Sequence, residues 1–147
     1  MHPTIVVITL AAKPTCSGIT SSRSTIATAM RRRCGAVGQL FVGQLRGSDF
    51  VARVGGEEFV VGCLDVDSRV ATLLAERLRG AVRDLRLPDT PAASGVRCAV
   101  SVGISRRSRA LTIGMPPAAC READAALYAA KSAGRNRVMA FDAAAAA

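Results

Sequence analysis

The stretch Arg53-Val54-Gly55-Gly56-Glu57-Glu58-Phe59 runs on into Val60 and Val61 and follows an apolar run of Phe50, Val51 and Val54. Two short strands around a Gly-Gly turn, with acidic side chains at the tip, are the hairpin this pattern predicts. Glycine tolerates positive φ and carries no Cβ, so a bulky anion can come up against the backbone at 55–56. The neighbouring carboxylates are ligands for the divalent cation such an anion needs. An ordinary hairpin with solvated acids satisfies the same residues, so its meaning depends on what surrounds it.

Downstream, Asp67 or Ser68 stands where a helix N-cap belongs. Val70, Leu73, Leu74, Leu78, Ala81, Val82 and Leu85 then share one helical face, predicting an amphipathic helix that ends near Arg86. Pro88 and Pro91 mark 87–95 as a loop. A strand is expected over 96–104, irregular chain over 106–117, and a helix over 118–133 with Ala123, Ala126, Leu127 and Ala130 inward. Gly134 sits at the C′ position of that helix, and a last strand is expected over 137–141. Upstream, Val37, Leu40, Phe41 and Leu45 predict a helix to about Arg46, and 4–10 has the composition of a strand. Between 11 and 33 neither a helical nor a strand period emerges. The fold class this order predicts is α/β (α+β): a mostly antiparallel central sheet with helices packed on it.

With 147 residues, half of them hydrophobic, the chain is long enough for one domain with a real core. The net charge is +9, and of the 20 basic side chains only Lys13 and Lys131 are lysine. Such a balance suits phosphates, nucleic acid or an acidic surface. With four Phe, one Tyr and no Trp, and no nucleic-acid motif, a polymer partner is not expected. GC-rich coding accounts for much of the arginine. Five cysteines without a CxxC pair, and His2 as the lone histidine, predict isolated thiols in a reducing cytoplasm and no zinc site. The apolar run 5–12 is too short to span a bilayer and lacks the flanks of a secretory signal.

Four strings now stand in one order. They are Arg46-Gly47-Ser48-Asp49, the hairpin stretch, Ser101-Val102-Gly103-Ile104, and Ala123-Asp124-Ala125-Ala126-Leu127-Tyr128-Ala129-Ala130-Lys131-Ser132-Ala133-Gly134-Arg135-Asn136. Together they resemble the GGDEF family, the bacterial diguanylate cyclases, from about Val37 to Asp142. The resemblance implies the nucleotide-cyclase palm, a ferredoxin-like sandwich, and a cytoplasmic bacterial signal-transduction protein. That origin argues against reading the Arg- and Ser-rich N-terminus as an organellar transit peptide. The implied reaction is a nucleotidyl transfer joining two GTP into cyclic di-GMP with release of pyrophosphate. It needs Mg2+ and a homodimer, each domain bringing one GTP. By resemblance Glu57 holds the metal and assists the attacking hydroxyl. Gly55 and Gly56 let the nucleotide lie against the backbone, and Glu58 is the adjacent acid. Lys131 and Arg135, four apart and so expected on one helix face, bind the phosphates. Arg46 and Asp49, with five residues between Asp49 and Gly55, fit the family's inhibitory cyclic di-GMP site, and Arg77 fits its second arginine. A helix-end cation and a solvated helix arginine account for Arg46 and Arg77 equally simply.

The N-terminal third departs from the family. Residues 1–48 hold no Asp or Glu. Counted back without gaps, the family's metal-binding Asp falls on Pro14, and its two guanine-reading residues fall on Ser22 and Arg31. Proline has no ligand, serine is a poor substitute for an amide, and arginine cannot accept guanine's donors. We therefore expect 1–36 to be a degenerate or out-of-frame segment, 37–142 the GGDEF domain and 143–147 an Ala-rich tail. The expected function is that of a diguanylate-cyclase family member with impaired turnover. The alternatives are an inactive cyclic di-GMP receptor working through the RxxD site, and a non-functional remnant.

Overall fold

The computed structural model describes residues 4–15, 23–86, 97–106, 108–109 and 116–143. The elements are β1 (Thr4–Thr15), α1 (Arg23–Gln44), β2 (Phe50–Gly55), β3 (Glu58–Leu64), α2 (Ser68–Asp84), β4 (Arg97–Ile104), β5 (Ser108–Arg109), α3 (Pro117–Ser132) and β6 (Val138–Ala140). The sheet runs β2-β3-β1-β4-β6, with β5 beside β1. All its pairings are antiparallel except β4 with β6. Mixed helix and strand around such a sheet is the expected α+β sandwich.

Period-2 alternation decides which face each strand buries. Phe59, Val61 and Cys63 of β3 and Cys98, Val100, Val102 and Ile104 of β4 enter the main core, together with Ile8 of β1. Val37 and Phe41 of α1 and the α2 row Ala71, Leu74, Ala75, Leu78 and Val82 close that core. Phe41 meets Phe59 edge to face, with ring centroids 5.4 Å apart. Val60 points to the opposite face and packs with Ala119 and Ala123 of α3. Alanines at these positions let α3 lie close to the sheet. At Gly103 the approach is so close that a Cβ would run into Ala123 O and Leu127 N.

Capping follows the sequence pattern. Asp67 Oδ1 accepts from the N–H of Val70 at 2.7 Å and starts α2. Gly134, at φ 110°, ends α3 in a Schellman turn: Gly134 N–H donates to Lys131 O and Arg135 N–H to Ala130 O.

Several expectations need correction. The stretch 11–33 is not without regular structure. β1 continues to Thr15 because it is hydrogen-bonded between β3 and β4, the last pair being Thr15 with Arg97. Backbone bonding on two sides requires no side-chain period. Likewise α1 begins at Arg23, well before its apolar spacing starts at Val37. Leu73 is not an inward residue: it is 63% exposed. The last strand is shorter than expected, Val138–Ala140, and the region taken as irregular includes β5. The loop at 87–95 lies outside the described residues. Cys34, Cys63, Cys98 and Cys120 are free thiols. Among the described residues no helix is long and apolar enough to cross a membrane.

Candidate functional site

β2 and β3 form the predicted hairpin. Gly55 pairs with Glu58, so the tip is the two-residue turn Gly56-Glu57, preceded by a register slip between Arg53 and Gly55. Positive φ is not what the glycines supply, since neither Gly55 nor Gly56 has it. A Cβ on either would meet nothing within 4 Å. Neither packing nor backbone geometry therefore requires glycine there, and what they provide is bare backbone facing solvent. Gly56 O is tied down by Arg53, whose Nε and Nη2 donate to it at 3.0 and 2.6 Å. Cys34 Sγ donates to the same oxygen at 3.5 Å.

Glu58 and Lys131 form an ion pair at 3.3 Å, which brings the end of α3 to the hairpin. Arg135 does not share a helix face with Lys131, as its spacing predicted. α3 ends at Ser132, and Arg135 follows Gly134 into the left-handed region at φ 62°. The turn that caps the helix redirects the chain before Arg135 is reached.

Glu57 is half-buried at the tip, and the strand alongside it brings no second carboxylate. The pairing of Ala11 with Glu58 runs β1 past the turn, and β1 contains neither Asp nor Glu. Among the described residues no group of three or more His, Cys, Asp or Glu side chains could hold a metal ion. One carboxylate is too few for a hard divalent cation that takes oxygen ligands from several groups. The donor set does not fit Mg2+.

The Arg46, Asp49 and Arg77 positions converge. The Arg46-Gly47-Ser48-Asp49 turn closes on itself: Asp49 Oδ2 accepts from Arg46 N–H at 3.1 Å, and Asp49 N–H donates to Arg46 O at 3.0 Å. Arg77 reaches across from α2 and donates to Gln44 O at 2.5 Å, satisfying a carbonyl at the end of α1. The three side chains line a cleft of about 310 Å³ walled by Val66, Val70 and the exposed Leu73. Asp49 Oδ1 is buried there without a hydrogen-bond partner among the described residues. Cys63 lies close enough to feel this pair. Burial, then the Asp49 charge, push its thiol up to about 12, with Arg46 opposing.

A second cleft, about 440 Å³, opens between α1 and the hairpin, lined by Arg31, Gln39, Val42, Val51, Arg53 and Phe59 among others. Sequence reasoning placed Arg31 at a family position but missed Arg53 and Gln39. Arg53 stood in the opening stretch, three residues before the carbonyl it clamps. Gln39 had no signal beyond its place opposite the buried face of α1.

The family described as "Diguanylate cyclase, GGDEF domain" matches residues 35–137. The chain is 40% identical over 99 residues to the Escherichia coli protein named probable diguanylate cyclase DgcT, covering 67% of this chain and 21% of that one. It is 38% identical over 104 residues to diguanylate cyclase DosC of the same organism, covering 69% and 21%. The chain thus spans about a fifth of the length of these relatives. In fold it is similar to the GGDEF domain of DgcB from Caulobacter crescentus, solved with c-di-GMP. The TM-score there is 0.71 at 24% identity, over 95% of this chain and 78% of that one. The active GGEEF domain of a Vibrio cholerae diguanylate cyclase gives 0.70 at 21% identity, over 95% and 83%.

Proposed function

The chain belongs to the GGDEF domain family of diguanylate cyclases, and from that premise we propose that it binds cyclic di-GMP through the Arg46–Asp49–Arg77 cleft without making it. The carrying observation is Asp49 Oδ1, a buried acceptor with no partner among the described residues, in a cleft flanked by two arginines. A guanine base offers the donors such an acceptor lacks, and acceptors for the guanidinium groups beside it. Leu73 at the rim gives a flat base an apolar surface to rest on. The c-di-GMP in the DgcB complex lends the reading support from a similar fold.

Turnover is a different matter. GGDEF diguanylate cyclases generally use Mg2+, and Glu57 has no second carboxylate on β1 to hold it. The family match itself begins at residue 35, downstream of the acid-free block. On this reading Gly55, Gly56, Glu58, Lys131 and Arg135 are what remains of a GTP site. Lys131 is already paired with Glu58, so an incoming phosphate has to displace that carboxylate. Each missing charged contact is worth about 1.5–3 kcal/mol, so the loss of a metal ligand and two guanine contacts lowers the rate by several orders of magnitude.

Calorimetry with cyclic di-GMP on the wild type and Arg46→Ala tests the binding half. We expect saturable binding that weakens at least about tenfold in the variant, as for one charge-assisted contact. No heat with the wild type, or the same affinity in both proteins, would rule out the assignment.

A further inference from the structure

We propose that the cleft between α1 and the hairpin reads a 6-oxopurine through its O6/N7 edge, with Arg31 as the residue that sets base specificity. This rests on the reading of the domain as a guanine-nucleotide binder and goes beyond it by naming which edge of the base is read. At about 440 Å³, the cleft falls in the range of roughly 300–1,000 Å³ usual for small-molecule sites. Its walls, Val42, Val51 and Phe59, are apolar and suit a flat ring.

The polar lining decides the edge. Arg31 and Arg53 carry the only charges there, and no carboxylate lines the cleft. The nearby carbonyl, Gly56 O, is already filled by Arg53. Arg53 has spent its fork on that carbonyl. Arg31 is exposed and has no hydrogen bond or ion pair among the described residues, so its guanidinium is available. A guanidinium donates and never accepts. Guanine's N1–H and N2–H₂ would face it donor to donor. Its O6 and N7 are two adjacent acceptors that match the fork bidentately, whereas adenine sets a donor beside N7.

The test is calorimetric binding of GTP, inosine triphosphate and 7-deaza-GTP to the full chain in metal-free buffer. Wild type, Arg31→Ala, Arg31→Lys and Arg46→Ala are compared, with cyclic di-GMP run on each. Inosine triphosphate keeps O6 and N7 but lacks the 2-amino group, so it should bind within about threefold of GTP. Losing N7 should weaken 7-deaza-GTP about tenfold or more, as expected for half of a bidentate base contact. Arg31→Ala should weaken GTP by a similar factor and level the series, with Arg31→Lys intermediate. A series led by the 2-amino group, or GTP affinity indifferent to Arg31, overturns the proposal. If cyclic di-GMP binds while GTP does not, or GTP binding follows Arg46 instead, the edge assignment falls and the dinucleotide reading stands. If neither nucleotide binds, both fall.

Discussion

Asp49 uses one carboxylate oxygen to hold the N–H of Arg46 and leaves the other buried and unpartnered among the described residues. An unmade hydrogen bond of this kind costs about 1–3 kcal/mol in the free protein, and a ligand that supplies the donor recovers it. Asp49→Asn replaces a charged acceptor with a neutral one, so cyclic di-GMP should bind about tenfold more weakly; calorimetry on the variant checks this. The hairpin glycines carry no comparable structural duty. With no positive φ and open space at each Cβ, Gly55→Ala and Gly56→Ala should shift stability by no more than about 1 kcal/mol in urea unfolding. A larger loss would mean the turn needs glycine for its own sake. Cys63 links the cleft to alkaline stability. Its thiol ionises near 9.0 when unfolded and is pushed up to about 12 when folded. The folded chain therefore keeps a proton that the unfolded chain loses. The stabilisation is complete below about pH 9 and is lost as pH rises toward 12. Unfolding free energies between pH 8 and 11 should fall more steeply for wild type than for Cys63→Ala; equal slopes would contradict the burial.

Among the elements, those with strong periodicity were legible and those held by their neighbours were not. Asp67 as N-cap of α2, the inward alanines of α3 and Gly134 as its terminator all follow from local chemistry, and all are present. The far end of β1 and the first turns of α1 were hidden. Their place is set by pairing with β3 and β4 and by continuation into the Val37–Phe41 face, not by a pattern of their own. Leu73 fits the apolar row of α2 by spacing yet stands at the rim of the Asp49 cleft. Spacing identifies a helical face but not where the protein behind it ends. In the same way, the interval from Lys131 to Arg135 spans a Schellman turn, so helical geometry does not carry across it. At β4 the element itself makes a prediction. Gly103 lies where α3 backbone touches the sheet, and Gly103→Ala should destabilise by about 1–3 kcal/mol through overpacking. A variant as stable as wild type in urea would mean that α3 can lift away freely.

For the whole molecule, β1 at the centre of the sheet means the acid-free N-terminus and the signature-bearing remainder share one core. Ile8 from that strand is fully buried with Val61, Val100 and Phe41. Such a core should unfold in one cooperative transition, and separate melting of two parts would argue against it. The four motif strings were enough to read the family, because hairpin, product cleft and α3 keep their local chemistry. The chemistry across elements was less visible: the convergence of Arg77 on Gln44 O and the Glu58–Lys131 pair depend on packing. The central claim is recognition without synthesis, and one measurement addresses both halves. The chain is dialysed to equilibrium against cyclic di-GMP, then separately incubated with GTP and Mg2+, and the nucleotides of each sample are resolved by chromatography. The account predicts that cyclic di-GMP concentrates on the protein side and that GTP is recovered unchanged. Cyclic di-GMP spread evenly across the membrane, or appearing from GTP, would contradict it.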